Sequence, residues 1–521
     1  RLVSDCFSNI RQDVPMIQDA RQYNGDSLEP DICVIGAGPA GLTIARHFAN
    51  SRHRLVLVES GDVKLRPWAQ KLSRGTNSGH PYEPLHLCRV RRFGGTTGPA
   101  GWGGWCKPLA EEDFAPRALP GVNGWPIARS DMQPFYEKAA KTLGVQSDYR
   151  WGTSRLGQDE SAALLSEPVA LTPFPDFGTA AYEELATAPN VDVLVNATAV
   201  KLSHGENAAE IGTLQLKTRG NGTLSVRASY FVVACGGIEN ARLLLASNDR
   251  YPNGLGNDHD LVGRFFMEHP HVRWGHFQVD QLSDLVRLHN PREAQKSAAA
   301  GIISPTCQPP IAGVVIDPAV QAREGILRSR SWIKPTGPAG FGAGTQALQD
   351  LTFWFRKGRT SANILRDSAI VMRNLPEVAL TLQTRLLPRA AGPVFFSFDT
   401  IMEQQPDPQN RVTLDRRTDA FGSPRARLNV KLDELVEKTF RRTQEIITAE
   451  MAKLGVVQAL GRRQRARKAR HQQARALGAP PYGDHADGAG RKIRRRRCEL
   501  QGPWRAQPLC RGQLGFSDRG Q

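Results

Sequence analysis

The sequence predicts an α/β protein built around a parallel sheet, and two stretches carry that prediction. "DICVIGAGPAGLTIARHFANSRHRLVLVESG", from Asp31 to Gly61, reads as strand, glycine turn, helix and second strand. "ASYFVVACGGIENARLLLAS", from Ala228 to Ser247, reads as a further strand, a Cys-Gly-Gly turn and a helix. Strands that alternate with helices pair in parallel, because the return path crosses over the sheet. The composition agrees. With 521 residues, 40% of them apolar, and 49 glycines, the chain can bury a large core and form two or three domains.

Within the first stretch, Gly36, Gly38 and Gly41 form G-x-G-x-x-G directly after the apolar strand that ends at Ile35. Gly36 permits the tight turn, Gly38 lets the backbone approach a pyrophosphate, and Gly41 lets the helix pack on the strand. The helix start offers free N–H groups and a partial positive charge to phosphates. Glu59 ends the second strand, 18 residues past Gly41, where it can accept hydrogen bonds from ribose hydroxyls. Strand, helix and acid together make this a dinucleotide-binding unit, of the kind both FAD and NAD use. "RRFGGTTGPAGWGGWCKPL", Arg91 to Leu109, is dense in glycine and lets backbone come close to a large flat ligand. "GWPIARSDMQPFYEKAAKTLGV" predicts a helix capped by Ser130 or Asp131. "VDVLVNATAVKL" predicts a strand leading into Val200. Farther on, "GPVFFSFDTIMEQQPDPQNRVTLDRRTDAFGSPRARLNVKL" reads as strands joined by Pro-Asp and Phe-Gly turns. The segment from Trp354 to Pro388 has helical periodicity and can cover a pocket, lie on the surface or meet a partner. Asp433 to Gly455 is an amphipathic helix ending at glycine.

Charge and cysteine usage exclude other classes. The net charge is +17, yet residues 461–521 hold 14 Arg and 2 Lys against 3 Asp and 1 Glu, which leaves only +5 for the first 460 residues. A nucleic-acid groove on the body therefore has little support. The eight cysteines show no C-x-x-C spacing and read as buried thiols rather than disulfides or a metal site. No apolar run reaches the roughly 18 residues a transmembrane helix needs. The N-terminus lacks a secretory apolar core, so the expected location is cytoplasmic. The chain opens on Arg1, and Met16 is the expected natural start.

Taken together, "GAGPAG", "FGGTT…WGGWC", "GWPI", "VVACGGIENARLLL" and "VGRFFMEHP" resemble the glucose–methanol–choline (GMC) oxidoreductases, in particular their bacterial sugar-alcohol and gluconate dehydrogenase branch. The resemblance runs from about Met16 to about Gly455. It implies a Rossmann-like FAD-binding domain over 16–275, a substrate domain with an antiparallel sheet over 276–432, and a helix returning to the FAD domain over 433–455. It implies oxidation of an alcohol, polyol or sugar CH–OH group by hydride transfer to flavin N5. By position, Gly36, Gly38, Gly41 and Glu59 hold the ADP half. Gly94, Gly95, Thr96 and Thr97 run along the pyrophosphate and flavin, and the Val200 backbone meets adenine. Some relatives attach flavin through a histidine in the second glycine loop; "GGTTGPAGWGG" has none, so FAD is expected to be held non-covalently. The electron acceptor is open between oxygen, a quinone and a cytochrome subunit. His269 in "MEHP" reads as structural, since the family places its base near the C-terminus.

That C-terminal segment, H-x-M-G-T-T-R-M followed by N-L-Y-V-A-G-S-S-V-F-P-T, is absent. "PPYGDHADG", Pro480 to Gly488, can be encoded as CCA CCA TAT GGG GAC CAC GCG GAT GGC. Read one base later, this gives H-H-M-G-T-T-R-M. The same offset frame allows the family residues from Lys492 to Gly520, an agreement over about 37 positions. Arg, Ala and Gly make up 31 of the last 61 residues, as expected of GC-rich DNA read out of frame. Residues 456–521 are therefore expected to be an out-of-frame, disordered basic tail, with a one-base change between about Lys453 and Pro480. His471 and His485 are not substitutes for the lost histidine, and no catalytic residue is assigned. The alternative is a non-catalytic protein whose genuine basic tail binds nucleic acid or another acidic surface.

Overall fold

The computed structural model describes residues 17–454 apart from 24, 81, 98–103, 120–122, 146–151, 157–160, 173–175, 208–209, 221, 280–310, 337–341, 357–363 and 387–393. The expectations about residues 456–521 lie outside the described residues.

A five-stranded parallel sheet forms the base. Its order is Ile17–Asp19, Val191–Val195, Leu55–Val58, Ile32–Ile35 and Tyr230–Val233. Ile32–Ile35 and Leu55–Val58 are buried at every position, because both faces of the sheet are covered. On one face Val34, Leu57 and Val193 pack with Leu42 and Ala45 of the helix Pro39–Phe48 and with Ala181 and Leu185 of the helix Phe177–Ala186. On the other face Cys33, Ile35, Val56 and Val58 pack with Leu202, Leu214 and Val226 of a second sheet. At Asn196, with φ 61°, the chain turns from one sheet into the other, so "VDVLVNATAVKL" forms two strands, Val191–Val195 and Thr198–His204, rather than one.

Tyr230–Val233 ends the parallel sheet; among the described residues no strand lies beyond it. Tyr230 is 69% exposed, and Phe231, Val232 and Val233 are only half-buried.

A seven-stranded sheet makes the second layer. His271–Val279, Val394–Met402, Ser329–Thr336, Ile311–Ile316 and Leu164–Leu171 run antiparallel in that order, with Trp105–Cys106 at the far edge and Ser154–Arg155 also beside Leu164–Leu171. One face packs Val314, Ile333 and Phe398 on Val436, Phe440 and Ile447 of the helix Glu434–Lys453, which Asp433 caps by accepting the Val436 N–H at 2.8 Å. The two layers interleave along the chain. Three strands of the antiparallel sheet come from before residue 276, and Pro424–Val430 pairs on one side with Arg411–Thr418 and on the other with Thr76–Gly79, beside the helix Gly237–Ala246.

The helix expected to start at Ser130 or Asp131 spans Arg129–Thr142. Ala128 stands at the cap and has no polar side-chain atom. Asp131 instead reaches back from the first turn and accepts the Ala128 N–H at 2.8 Å. Cys33, Cys88, Cys106 and Cys235 are free thiols, and burial pushes Cys33 and Cys235 up to about 12.

Candidate active site

Gly36 adopts φ +104°, and a Cβ there would meet the Ala234 carbonyl oxygen at 2.7 Å. A Cβ on Gly41 would lie 1.9 Å from the Gly36 oxygen, so the helix can sit this close to the strand only with glycine at that position. Gly38 differs. A Cβ there would meet only the Ala234 oxygen, at 4.0 Å, so the protein itself leaves room for a side chain. Gly38 also caps the helix Pro39–Phe48 without any side-chain bond, which leaves first-turn N–H groups free.

The glycine loop that follows is stitched to this turn. The Gly94 N–H donates to the Ala37 oxygen at 2.8 Å, and a Cβ on Gly95 would lie 3.0 Å from the Gly38 Cα. Thr96 Oγ1 accepts the Val90 N–H at 3.2 Å, and Thr97 Oγ1 donates to the Gly94 oxygen at 2.5 Å. The two loops close one end of a cavity of about 930 Å³, lined among others by Gly36, Gly38, Glu59, Gly95, Thr96 and Val200. That is the upper range of cofactor and small-molecule sites. Gly41, Gly94 and Thr97 stand behind the wall and shape it.

Glu59 lines the cavity but is first a brace. It is 6% exposed, Oε2 accepts the Ala37 N–H at 3.0 Å, and Oε1 accepts the Gly61 N–H at 2.7 Å. Each carboxylate oxygen has a second lone pair, so hydroxyl donors on a ligand can still be accepted.

A buried ion cluster forms another part of the wall, and motif reasoning missed it. Glu239, in the first turn of the helix Gly237–Ala246, meets Arg89 Nη2 at 2.5 Å, Arg91 Nη2 at 3.0 Å and Arg242 Nη1 at 3.1 Å. Arg242 Nη2 also meets Asp419 Oδ2 at 2.5 Å. Burial alone would raise the Glu239 carboxyl; the guanidinium groups of Arg91, Arg89 and Arg242 outweigh it and hold the group well below the usual carboxylate range. The signal was present as "RVRR" before the glycine loop and as the acid in "GGIENAR", but only the fold brings the two together.

Glu239→Gln is expected to lower stability by about 3–5 kcal/mol, as when one partner of a buried pair is removed. A depressed carboxyl contributes fully above its ordinary value of 4.5 and loses that contribution as pH falls toward the folded value. The Tm difference between wild type and variant should thus be largest near neutrality and shrink below about pH 4.

At another part of the cavity wall, Tyr82 Oη donates to Glu268, which also holds His269 Nδ1 at 2.9 Å. Burial would raise Glu268, but its bonds to His269 and Tyr82 bring it down to about 2. The bond to Glu268 raises His269 in turn. A carboxylate bound to an imidazole favours its protonated form, which is the form that cannot accept a proton. Among the described residues no His/Cys/Asp/Glu cluster could hold a metal ion.

No family model matches the chain. Known proteins do. The chain is 27% identical over 312 residues to 6'''-hydroxyparomomycin C oxidase of Streptomyces lividus, covering 46% of this chain and 55% of that protein. It is 24% identical over 306 residues to 2-methyl-1,2-propanediol dehydrogenase of Mycolicibacterium austroafricanum, covering 46% and 55%. Over 48 residues it is 54% identical to the fructose dehydrogenase large subunit of Gluconobacter japonicus, 9% of each chain. These oxidase and dehydrogenase relatives support the resemblance to the GMC oxidoreductases. The chain spans a little over half the length of the first of these relatives. Among solved structures, the formate oxidase of Aspergillus oryzae aligns over 87% of both chains at 15% identity, with a TM-score of 0.43. Among the described residues, no helix is long and apolar enough to cross a membrane.

Proposed function

We propose that this chain descends from an FAD-dependent enzyme that oxidises a CH–OH group of an alcohol, polyol or sugar. The observation that carries the reading is the pair of stitched glycine loops at one end of a cavity of about 930 Å³. Gly38 faces that cavity with no protein atom to exclude a side chain, which is the condition expected where a ligand, not the fold, requires glycine. Gly36, Gly38, Glu59, Gly95, Thr96 and Val200 would hold the cofactor non-covalently. The free N–H groups at the start of Pro39–Phe48 would meet its phosphates. When bound, FAD supplies the hydride acceptor at N5. The relatives named for hydroxyparomomycin C and for a propanediol support a hydroxyl-bearing substrate. The relative named as a large subunit supports a partner subunit.

The C-terminal end of this chain is read as out of frame. The outer edge of Tyr230–Val233, unpaired among the described residues, supports that reading, since the offset frame allows an apolar N-L-Y-V-A strand suited to it. On this reading the chain as it stands lacks its proton acceptor, and neither His269 nor Glu268 replaces it. The test is the frame-corrected protein, purified and denatured. Release of FAD into solution on denaturation is expected, and a colourless preparation without released flavin would overturn the reading.

A further inference from the structure

The helix Ile364–Arg373 has its polarity reversed relative to a helix packed on a globular core, and the helix Leu375–Leu386, which buries Val378, also leaves leucines exposed. Asp367 is 4% exposed, while Leu365 is 85% and Met372 64% exposed. Leu365, Ala369 and Met372 fall at i, i+4 and i+7, one stripe along the first helix. Leu375, at 48%, and Leu380, at 40%, continue the apolar surface onto the second. Single exposed apolar side chains are ordinary, but a contiguous stripe marks a surface that something covers.

Charge says what covers it. From Ala343 to Arg389 the sequence carries seven Arg or Lys against three Asp or Glu. Of those acids, Asp367 is buried and Glu377 accepts the Thr345 N–H at 2.6 Å, so neither balances the outer face. Arg373 directly follows Met372 and is exposed, with an aliphatic stem that can lie along an apolar surface while its head stays wet. A second copy of this chain would bring the same net-basic segment against itself across a two-fold axis, which like charge disfavours. The two helices contain no Phe, Tyr or Trp, the residues that usually anchor protein interfaces alongside Arg. Aliphatic stripe, flanking cations and few free acids are instead the pattern of a helix lying in a bilayer interface.

We infer that these two consecutive helices dock the protein on an anionic lipid surface, with Leu365, Met372, Leu375 and Leu380 inserted among the acyl chains and Arg373 at the headgroups. The contact lies on the surface of the bilayer and crosses nothing.

The experiment is flotation of the full chain with phosphatidylcholine vesicles holding about 30 mol% phosphatidylglycerol, in low salt and again near 0.5 M salt, where the Debye length falls to roughly 4–5 Å. Residues 461–521 carry a net +12 and are expected to bind such vesicles by charge alone, so the high-salt arm isolates the apolar contribution. Wild type should remain bound at high salt. Leu365→Asp with Met372→Asp should lose at least about tenfold in bound fraction there, as expected for two charges placed in the interface. Both positions are exposed, so an unchanged Tm will show that the variant is folded. Equal binding of variant and wild type, or release of wild type by salt alone, overturns the proposal. So does a wild type that elutes as a dimer which the variant dissolves, since the face would then be a protein contact.

Discussion

Correcting the reading frame between Lys453 and Pro480 is expected to turn an inactive chain into one that oxidises an alcohol. Two physical losses are repaired at once. The first is stability. Tyr230–Val233 is the outer strand of the parallel sheet among the described residues, with three of its four apolar side chains half-buried and Tyr230 exposed. An open edge leaves backbone N–H and C=O groups without strand partners and invites aggregation. Covering a few hundred Å² of apolar surface there is worth several kcal/mol at roughly 25 cal/mol per Å². A typical domain has only about 5–15 kcal/mol in total. The 14 arginines of residues 461–521 cannot fill such a space, because their charges must stay paired or in water. The second loss is chemical. With the codons given above, the offset frame reads His-His-Met-Gly-Thr-Thr-Arg-Met, which the family resemblance implies is the source of the proton acceptor. Dye reduction dependent on a polyol or sugar alcohol should be absent from the chain as it stands and present in the corrected one. Replacing the restored histidine by alanine should lower the reductive rate by about 10²–10⁴. Soluble, flavin-loaded and active protein made from the uncorrected sequence would falsify this account. A loss under about threefold in the histidine variant would place the base elsewhere.

Replacing Gly41 and Gly38 one at a time by alanine is expected to separate folding from cofactor binding. The Cβ of Gly41→Ala would lie 1.9 Å from the Gly36 oxygen and 3.3 Å from Val34 Cγ1. Gly36 cannot retreat, because its N–H donates to the Val58 oxygen at 2.7 Å and a Cβ-sized space behind it is filled by Ala234. The helix must move off the strand instead. Overpacking of this kind costs about 1–3 kcal/mol or more, so Tm should fall by several degrees and bound flavin should be lost. Gly38→Ala meets nothing nearer than 4.0 Å in the protein. Its Tm without cofactor should be unchanged while its flavin content drops, since the added methyl stands where a phosphate would approach the helix start. Thermal melts and flavin-to-protein ratios on the frame-corrected protein measure both. A Gly38→Ala variant that keeps full flavin would remove that glycine from the proposed site.

The local units were written in the sequence. Ile32–Ile35, the glycine turn, Pro39–Phe48 and Leu55–Val58 depend on neighbours within about 30 positions, so spacing and residue type are sufficient to read them. The loop from Gly94 to Thr97 was legible for the same reason, although its stitch to Ala37 was not. What the sequence could not state is anything that joins distant segments. Glu239 meets Arg89 across 150 positions, and Asp419 meets Arg242 across 177. Strands from before residue 276 enter the antiparallel sheet because Leu164–Leu171 finds its partner at Ile311–Ile316, a pairing no local pattern encodes. Glu59 was read as a ligand-facing acid, and the folded chain also makes it the brace of its own turn, because the Ala37 and Gly61 N–H groups converge on it only when the strand and turn are assembled. The sequence by itself thus determined the dinucleotide-type unit and the break in character of the last 61 residues, since both are local in spacing and composition. Only the tertiary structure decided the cavity's charged wall, the open sheet edge and the outward-turned leucines, since each depends on which distant surfaces meet and which are left uncovered.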